Sequence, residues 1–237
     1  MAYGIVAHTV ASSGDTNSVT TPAIDTTGAN LIYLAVSDFL VQPLGTISDN
    51  KGNTWTIITV GGDGDGNFCR ISTYFCLNPT VGAGHTFTYS GTAVYPSMTA
   101  LALSGAAAAS VLDQKNTNSS LATTTLATGS VTPSENNEIV ITSTSDLSVS
   151  GSKSIDSGFT ISDQMLYSPG SFFGIGTAYL IQTSAGAVNP TWTYGTSTET
   201  VAEIATFKAA AASGNLFRPS QLAGLGAGGP FFQNPLN

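Results

Sequence analysis

Thr86-Phe87-Thr88-Tyr89 recurs as Thr191-Trp192-Thr193-Tyr194, 105 residues further along the chain, and Tyr74 recurs as Tyr179 at the same offset. Two unrelated strands would rarely agree in register and in residue type, so the pair reads as an internal duplication. In each tetrapeptide the aromatic residues fall on one face of a strand and the threonines on the other. The match extends outward with small insertions. Asn30 to Asp38 (NLIYLAVSD) corresponds to Asn137 to Ser145 (NEIVITSTS), Asn53 to Ile58 to Gly158 to Ser162, and Ser97 to Ser104 to Val201 to Lys208. The repeat thus covers about 18–105 and 121–208.

Each copy reads as about six strands separated by turn signals every 8 to 15 residues, the spacing of a sandwich or barrel. Ile32 and Leu34 alternate with Tyr33 and Ala35, so a sheet with an apolar face must close on another sheet. The expected fold is all-β: one jelly-roll-like β-sandwich over 1–212 built from the two related halves. Two consecutive small sandwiches joined near Gly105 to Asn118 are the alternative. Ala106 to Ala109 reads as linker, with a short helical turn as the other option.

Composition agrees with a sheet protein. Only 8% of the 237 residues are charged, too few for the solvated faces of a helical bundle. The net charge of -8 comes with no basic run, which argues against binding nucleic acid or an anionic membrane. Met1 to Gly14 lacks both a basic and a long apolar region and does not read as a signal peptide, and no apolar run approaches the ~20 residues of a membrane span. Cys69 and Cys76 lie seven apart in one expected strand, roughly 23 Å from each other, so they do not bridge. Odd spacing puts them on opposite faces, one buried and one partly covered; pairing of Cys76 with another chain is the sharper alternative.

Ser213 to Asn237 is different in kind. Leu216, Phe217, Leu222, Leu225, Phe231, Phe232 and Leu236 are spaced among glycines and prolines that break any helix or strand period. It reads as an extended C-terminal docking arm over 213–237, whose apolar anchors are partner-binding residues on a neighbouring subunit. The alternative is that it folds back on its own sandwich.

Reaction chemistry is sparse. There is no Gly-x-Ser-x-Gly elbow, only His8 and His85 could serve a triad, and neither zinc spacing nor a phosphate-binding glycine motif occurs. Glu199 and Glu203 share a strand face, as paired glycosidase carboxylates would, but a solvated face, or a buried hydrogen-bonded acid at Glu203, is the simpler reading. Asp63, Asp65 and Asn67 alternate with glycines as calcium ligands do. The match stops there, because Phe68 replaces the glycine an EF-hand loop needs, so a plain turn with no cofactor is expected and calcium stays the one candidate ion. Trp55, Tyr89, Tyr95, Tyr167, Trp192 and Tyr194 could stack sugars if exposed together. Trp55 and Trp192 are in phase with the interior, whereas Tyr95 and Tyr167 lie in loops and are the candidate glycan-binding residues.

Asp49-Asn50-Lys51-Gly52-Asn53-Thr54-Trp55, the Tyr74 strand, Asn78-Pro79, the Gly84-His85-Thr86-Phe87-Thr88 strand and Leu101-Ala102-Leu103-Ser104-Gly105 resemble a β-sandwich family. That family occurs in bacteriophage structural proteins and bacterial surface proteins and carries the pattern Asp-x-x-Gly-Asn-Thr-aromatic. The resemblance covers roughly 18–208 and implies a fold and a setting, with no catalytic residues to transfer. The expectation is a non-enzymatic virion structural protein, made in the host cytoplasm. It would be a capsid decoration or other particle-surface protein that contacts virion proteins such as a major capsid protein, as a homo-oligomer. The alternative is an extracellular glycan-binding module for host attachment or polysaccharide recognition.

Overall fold

The computed structural model describes residues 2–39, 43–62, 68–92 and 94–211. Among them the chain forms strands β1 (Gly4–Ser12), β2 (Ser18–Thr20), β3 (Leu31–Phe39), β4 (Thr46–Asp49), β5 (Thr56–Gly61), β6 (Cys69–Leu77), β7 (Phe87–Ser90) and β8 (Ser97–Ser104). These are followed by β9 (Leu112–Ala127), β10 (Ile139–Asp146), β11 (Ser154–Ile155), β12 (Thr160–Met165), β13 (Gly174–Ile181) and β14 (Thr191–Phe207). One sheet runs β1-β8-β3-β6-β5. The second runs β14-β10-β13-β12, with β9 and β11 both paired to β14. A small sheet runs β2-β7-β4. The pairings are antiparallel.

The fold is all-β, and its centre is a sandwich of the two large sheets. Leu31, Tyr33, Ala35, Ile71, Leu101 and Leu103 from the first meet Ile139, Ile141, Ile175, Val201, Ala205 and Phe207 from the second in one core. Each large sheet is also covered on its other face. Ile32, Leu34, Val36 and Met98 pack under Val19, Phe87 and Tyr89, while Val140, Ala178 and Ile204 pack under Leu126, Trp192 and Tyr194. Burial on both faces explains why β3 is an almost unbroken apolar run and why every residue of β10 is buried. The layers are four, and the outer ones come from β2-β7-β4 and from β11 with the paired ends of β9 and β14.

The first halves of β9 and β14 do different work from their second halves. Pairing of β14 with β9 breaks between Thr193 and Thr198, which lets Thr191 to Tyr194 cross the outer face while Val201 to Phe207 joins the large sheet. Gly195 sits in this break, where a Cβ would lie 1.9 Å from the Ser150 carbonyl oxygen. Only glycine permits that approach.

The order β1-β8-β3-β6-β5 is matched by β9-β14-β10-β13-β12, but one sequence pairing needs correction. Tyr33 pairs with Phe75, and Ile141 pairs with Tyr179. Tyr33 and Ile141 both face the central core and Phe75 and Tyr179 pack against it, whereas Tyr74 lies in the outer one. Tyr179 therefore stands in the place of Phe75, and the β3/β10 match shifts by one so that Asp38 coincides with Asp146. Phe87 and Trp192 each lie in an outer layer against its own outer core.

Cys69 faces the central core and Cys76 the opposite side; both thiols are free and buried. The expectation of one buried and one partly covered thiol is thus corrected to two buried ones. Burial pushes the Cys76 thiol up to about 11, and a buried thiol is not placed for an intermolecular bridge. Ala106 forms a bridge with Ala209, and Ala107 N–H donates to Lys208 O, so the alanine run is an extended linker.

Candidate functional site

The Asp49–Trp55 motif is a structural knot. Asp49 Oδ1 accepts from the Lys51 and Asn53 amides at 2.8 and 3.4 Å and from Asn53 Nδ2 at 3.2 Å, and Oδ2 accepts from Trp55 Nε1 at 2.9 Å. Gly52 at φ 74° supplies the left-handed residue of the turn. Asn53 then clamps Thr80 through both its amide atoms, and Asn50 bridges Gly84 O and Thr86 N. Loop architecture therefore explains the Asp49-Asn50-Lys51-Gly52-Asn53-Thr54-Trp55 pattern.

Inside this knot Thr26 Oγ1 lies 2.9 Å from His85 Nδ1, and His85 Nε2 lies 3.3 Å from Asp49 Oδ1. The order is that of a hydrolase triad, but all three side chains are closed to solvent, Thr26 Oγ1 also bonds Gly82, and burial lowers the His85 pKa so that the ring is held neutral. No substrate reaches this hydroxyl. His8 is exposed and lies 3.0 Å from Asp163 Oδ2, joining β1 to β12.

Glu199 and Glu203 do not form a carboxylate pair. Glu199 Oε1 accepts from the Phe68 and Cys69 amides. Glu203 is fully buried in the central core, where it accepts from Tyr33 Oη, and burial pushes its carboxyl up to about 7. Around it runs a seam of hydroxyls between the large sheets: Tyr33 Oη to Ser143 Oγ at 2.8 Å, Ser143 to Thr177 at 2.8 Å, Thr177 to Thr99 at 2.6 Å, and Ser37 to Ser145 at 2.5 Å. Two buried ion pairs flank it, built on Asp38 and Asp146, the last residue but one of β3 and the last of β10. Arg70 donates to both oxygens of Asp38 at 2.6 Å, and Lys153 Nζ lies 3.0 Å from Asp146 Oδ2. Sequence reasoning missed these; the signal was the aspartate ending both NLIYLAVSD and the stretch Glu138 to Asp146.

The aromatic candidates divide. Trp192, Tyr89 and Tyr194 are core. Trp55 differs from expectation: it meets Phe87 edge-on at 5.9 Å but stays half-buried, because it precedes the edge strand β5, and with Ile47, Ile57 and Tyr74 it lines an open groove. Tyr95 and Tyr167, loop residues from the two halves, converge on one cleft of about 180 Å³ together with Phe39, Phe172 and Phe173. Tyr95 holds φ 47°, a left-handed conformation that is costly for a bulky residue and is over-represented at functional sites. Phe39 and Phe173 stack at 5.9 Å, and Tyr167 lies 6.0 Å from Phe173. The two phenylalanines after Ser168-Pro169-Gly170 were the unused sequence clue to this cleft.

Asp63, Asp65 and Asn67 lie outside the described residues, as do Leu216, Phe217, Leu222, Leu225, Phe231, Phe232 and Leu236. No family model, curated protein or solved structure matches the chain.

Proposed function

We propose that the chain is a non-enzymatic structural protein of a bacteriophage particle surface, a capsid decoration or related exterior sandwich, self-associating and anchored to other virion proteins by its C-terminal arm. The observation that supports it is where the ionisable groups lie. Asp38 with Arg70, Asp146 with Lys153, His85 with Asp49, and Glu203 with Tyr33 all tie strands or loops together in the interior. The middle of β9, by contrast, exposes Gln114, Asn116, Thr117 and Asn118, with Lys115 the one charged residue among them. Such an arrangement suits a stable, weakly charged exterior better than catalysis. The test compares particles carrying the full chain with particles offered a chain lacking Ser213 to Asn237. The truncated chain should keep its melting temperature and fail to incorporate. Normal incorporation without the arm would sink the anchoring role, and absence of the full chain from purified particles would sink the whole reading.

A second reading, recognition of a glycan, is favoured by a separate observation: Tyr95 and Tyr167 meet at one cleft although 72 residues separate them.

A further inference from the structure

The cleft is built rather than incidental. Ser97 Oγ donates to Phe173 O at 2.7 Å and Phe173 N–H to Tyr95 O at 3.3 Å, which locks the loop before β8 to the start of β13. Phe39 N–H donates to Val94 O at 3.2 Å, and Tyr167 N–H to Ser148 O at 3.2 Å. Four chain segments are thus held in fixed relation around one opening, and a site ordered in advance loses less entropy on binding.

Its chemistry restricts the ligand. None of the described residues that line it is charged. The charge that can be placed beside it is acidic: Asp15 N–H donates to Ser171 O, on the rim, at 3.1 Å. With a chain net charge of -8, an anionic ligand would find no cation and an unfavourable field. Phe39, which stacks on both Phe68 at 6.0 Å and Phe173 at 5.9 Å, gives the cleft an apolar floor together with Phe173, while the hydroxyls of Tyr95 and Tyr167 have no hydrogen-bond partner among the described residues and can donate or accept. Volume sets the size. About 180 Å³ compares with roughly 150 Å³ for a cavity that holds benzene, so one six-membered ring fits and two do not.

We propose that this cleft binds one neutral pyranose ring, the terminal residue of a glycan, with the ring's C–H face against the aromatic floor and its hydroxyls toward Tyr95 and Tyr167. The proposal rests on the glycan reading and narrows it to a ligand class and a binding mode. A ring with an apolar face and a polar edge is what an aromatic floor with phenolic edges complements.

The test titrates the full chain by calorimetry against two sets of probes. One set is the methyl glycosides of glucose, galactose, mannose and N-acetylglucosamine; the other is methyl glucuronide and methyl sialoside. At least one neutral probe should bind, and Tyr95→Ala or Tyr167→Ala, each of which removes a wall of the cleft together with a hydroxyl facing the sugar, should weaken it by about tenfold or more, a free energy of about 1.4 kcal/mol. Tyr95→Phe and Tyr167→Phe keep the rings and should weaken it by only a few-fold, with the melting temperature unchanged. Binding of the anionic set alone, lost in the alanine variants, would overturn the neutral-ring assignment and leave the glycan reading standing. Neutral binding that survives both alanine variants in folded protein would overturn the site. Failure of both probe sets to bind at about 10 mM, a free energy weaker than about 3 kcal/mol, would overturn the glycan reading and this inference together.

Discussion

Glu203 shows what a single polar residue costs and fixes in this core. Its Oε1 is satisfied by Tyr33, but Oε2 has no hydrogen-bond partner among the described residues, so ionisation in place would leave a poorly compensated buried charge. Its carboxyl is raised from 4.5 to about 7 by burial. Below pH 4.5 both folded and unfolded chains carry the proton and the group adds no penalty. Between 4.5 and about 7 the unfolded chain releases the proton first, so stability falls as pH rises, by up to about 1.4 kcal/mol per unit. Above about 7 the penalty is constant. Burial also pushes up Asp163 and Glu138, with the same sign, so the test must be a difference. The urea midpoint of the wild-type chain should drop from pH 4.5 to 7.5 by more than that of Glu203→Gln, which keeps the acceptor to Tyr33 and cannot ionise. Equal drops would show that Glu203 does not set the slope. Arg70 gives a second residue-scale expectation. Arg70→Ala would strand Asp38 in the interior, and breaking a buried pair in this way costs roughly 3–5 kcal/mol; a loss below about 1 kcal/mol in thermal or urea unfolding would mean that Asp38 is protonated or rehydrated in the variant.

The strands were legible to the extent that a two-residue period could speak. β7 and the first part of β14 announced themselves through TFTY and TWTY, because one face of each meets a core and the other does not. β10 was harder. Thr142, Ser143, Thr144 and Ser145 look like a solvated stretch, yet all are buried, because long-range partners, Tyr33 across the sandwich and Thr177 on the neighbouring strand, satisfy hydroxyls there. No single sequence shows such long-range pairing, and for the same reason the Tyr74–Tyr179 match slipped by one residue. Two loop tyrosines were picked out as exposed aromatics, but the phenylalanines that make a cleft of them were not, since convergence of four segments is a property of topology. The bend in β14 supplies the prediction at this scale. Gly195→Ala would set a Cβ 1.9 Å from the Ser150 oxygen, a backbone atom that cannot rotate away. The cost should be about 1–3 kcal/mol, as for other overpacked sites. Gly186, which has open space and no left-handed φ, is the control, and Gly186→Ala should be neutral or slightly stabilising. Similar melting temperatures for the two variants would mean that the bend is not held by this contact.

At the scale of the whole molecule the question is whether either half can stand without the other. Each large sheet has its own outer cover, which argues for independence: residues 2–104 already contain the core under β2-β7-β4. The central core argues against it. Separating the halves would expose Leu31, Tyr33, Ile71, Leu101 and Leu103 on one side and Ile139, Ile141, Ile175, Val201 and Phe207 on the other. At about 1.5–3 kcal/mol for each large side chain returned to water, the loss for one half is on the order of 10 kcal/mol, which is comparable with the entire stability of an ordinary domain. Hydroxyls of the seam would also lose their partners, although water can replace those. The central term is the larger, because the outer core of the first half has only short strands, β2, β4 and β7, to close it. A fragment of residues 1–106 should therefore keep strand content by far-ultraviolet dichroism while binding a hydrophobic dye and unfolding without a sharp transition. Adding the separately produced 107–211 fragment should restore cooperative unfolding if the faces recognise each other. A 1–106 fragment that melts sharply and binds no dye would show instead that the outer layer suffices, and that the central sandwich is an interface between two self-sufficient domains.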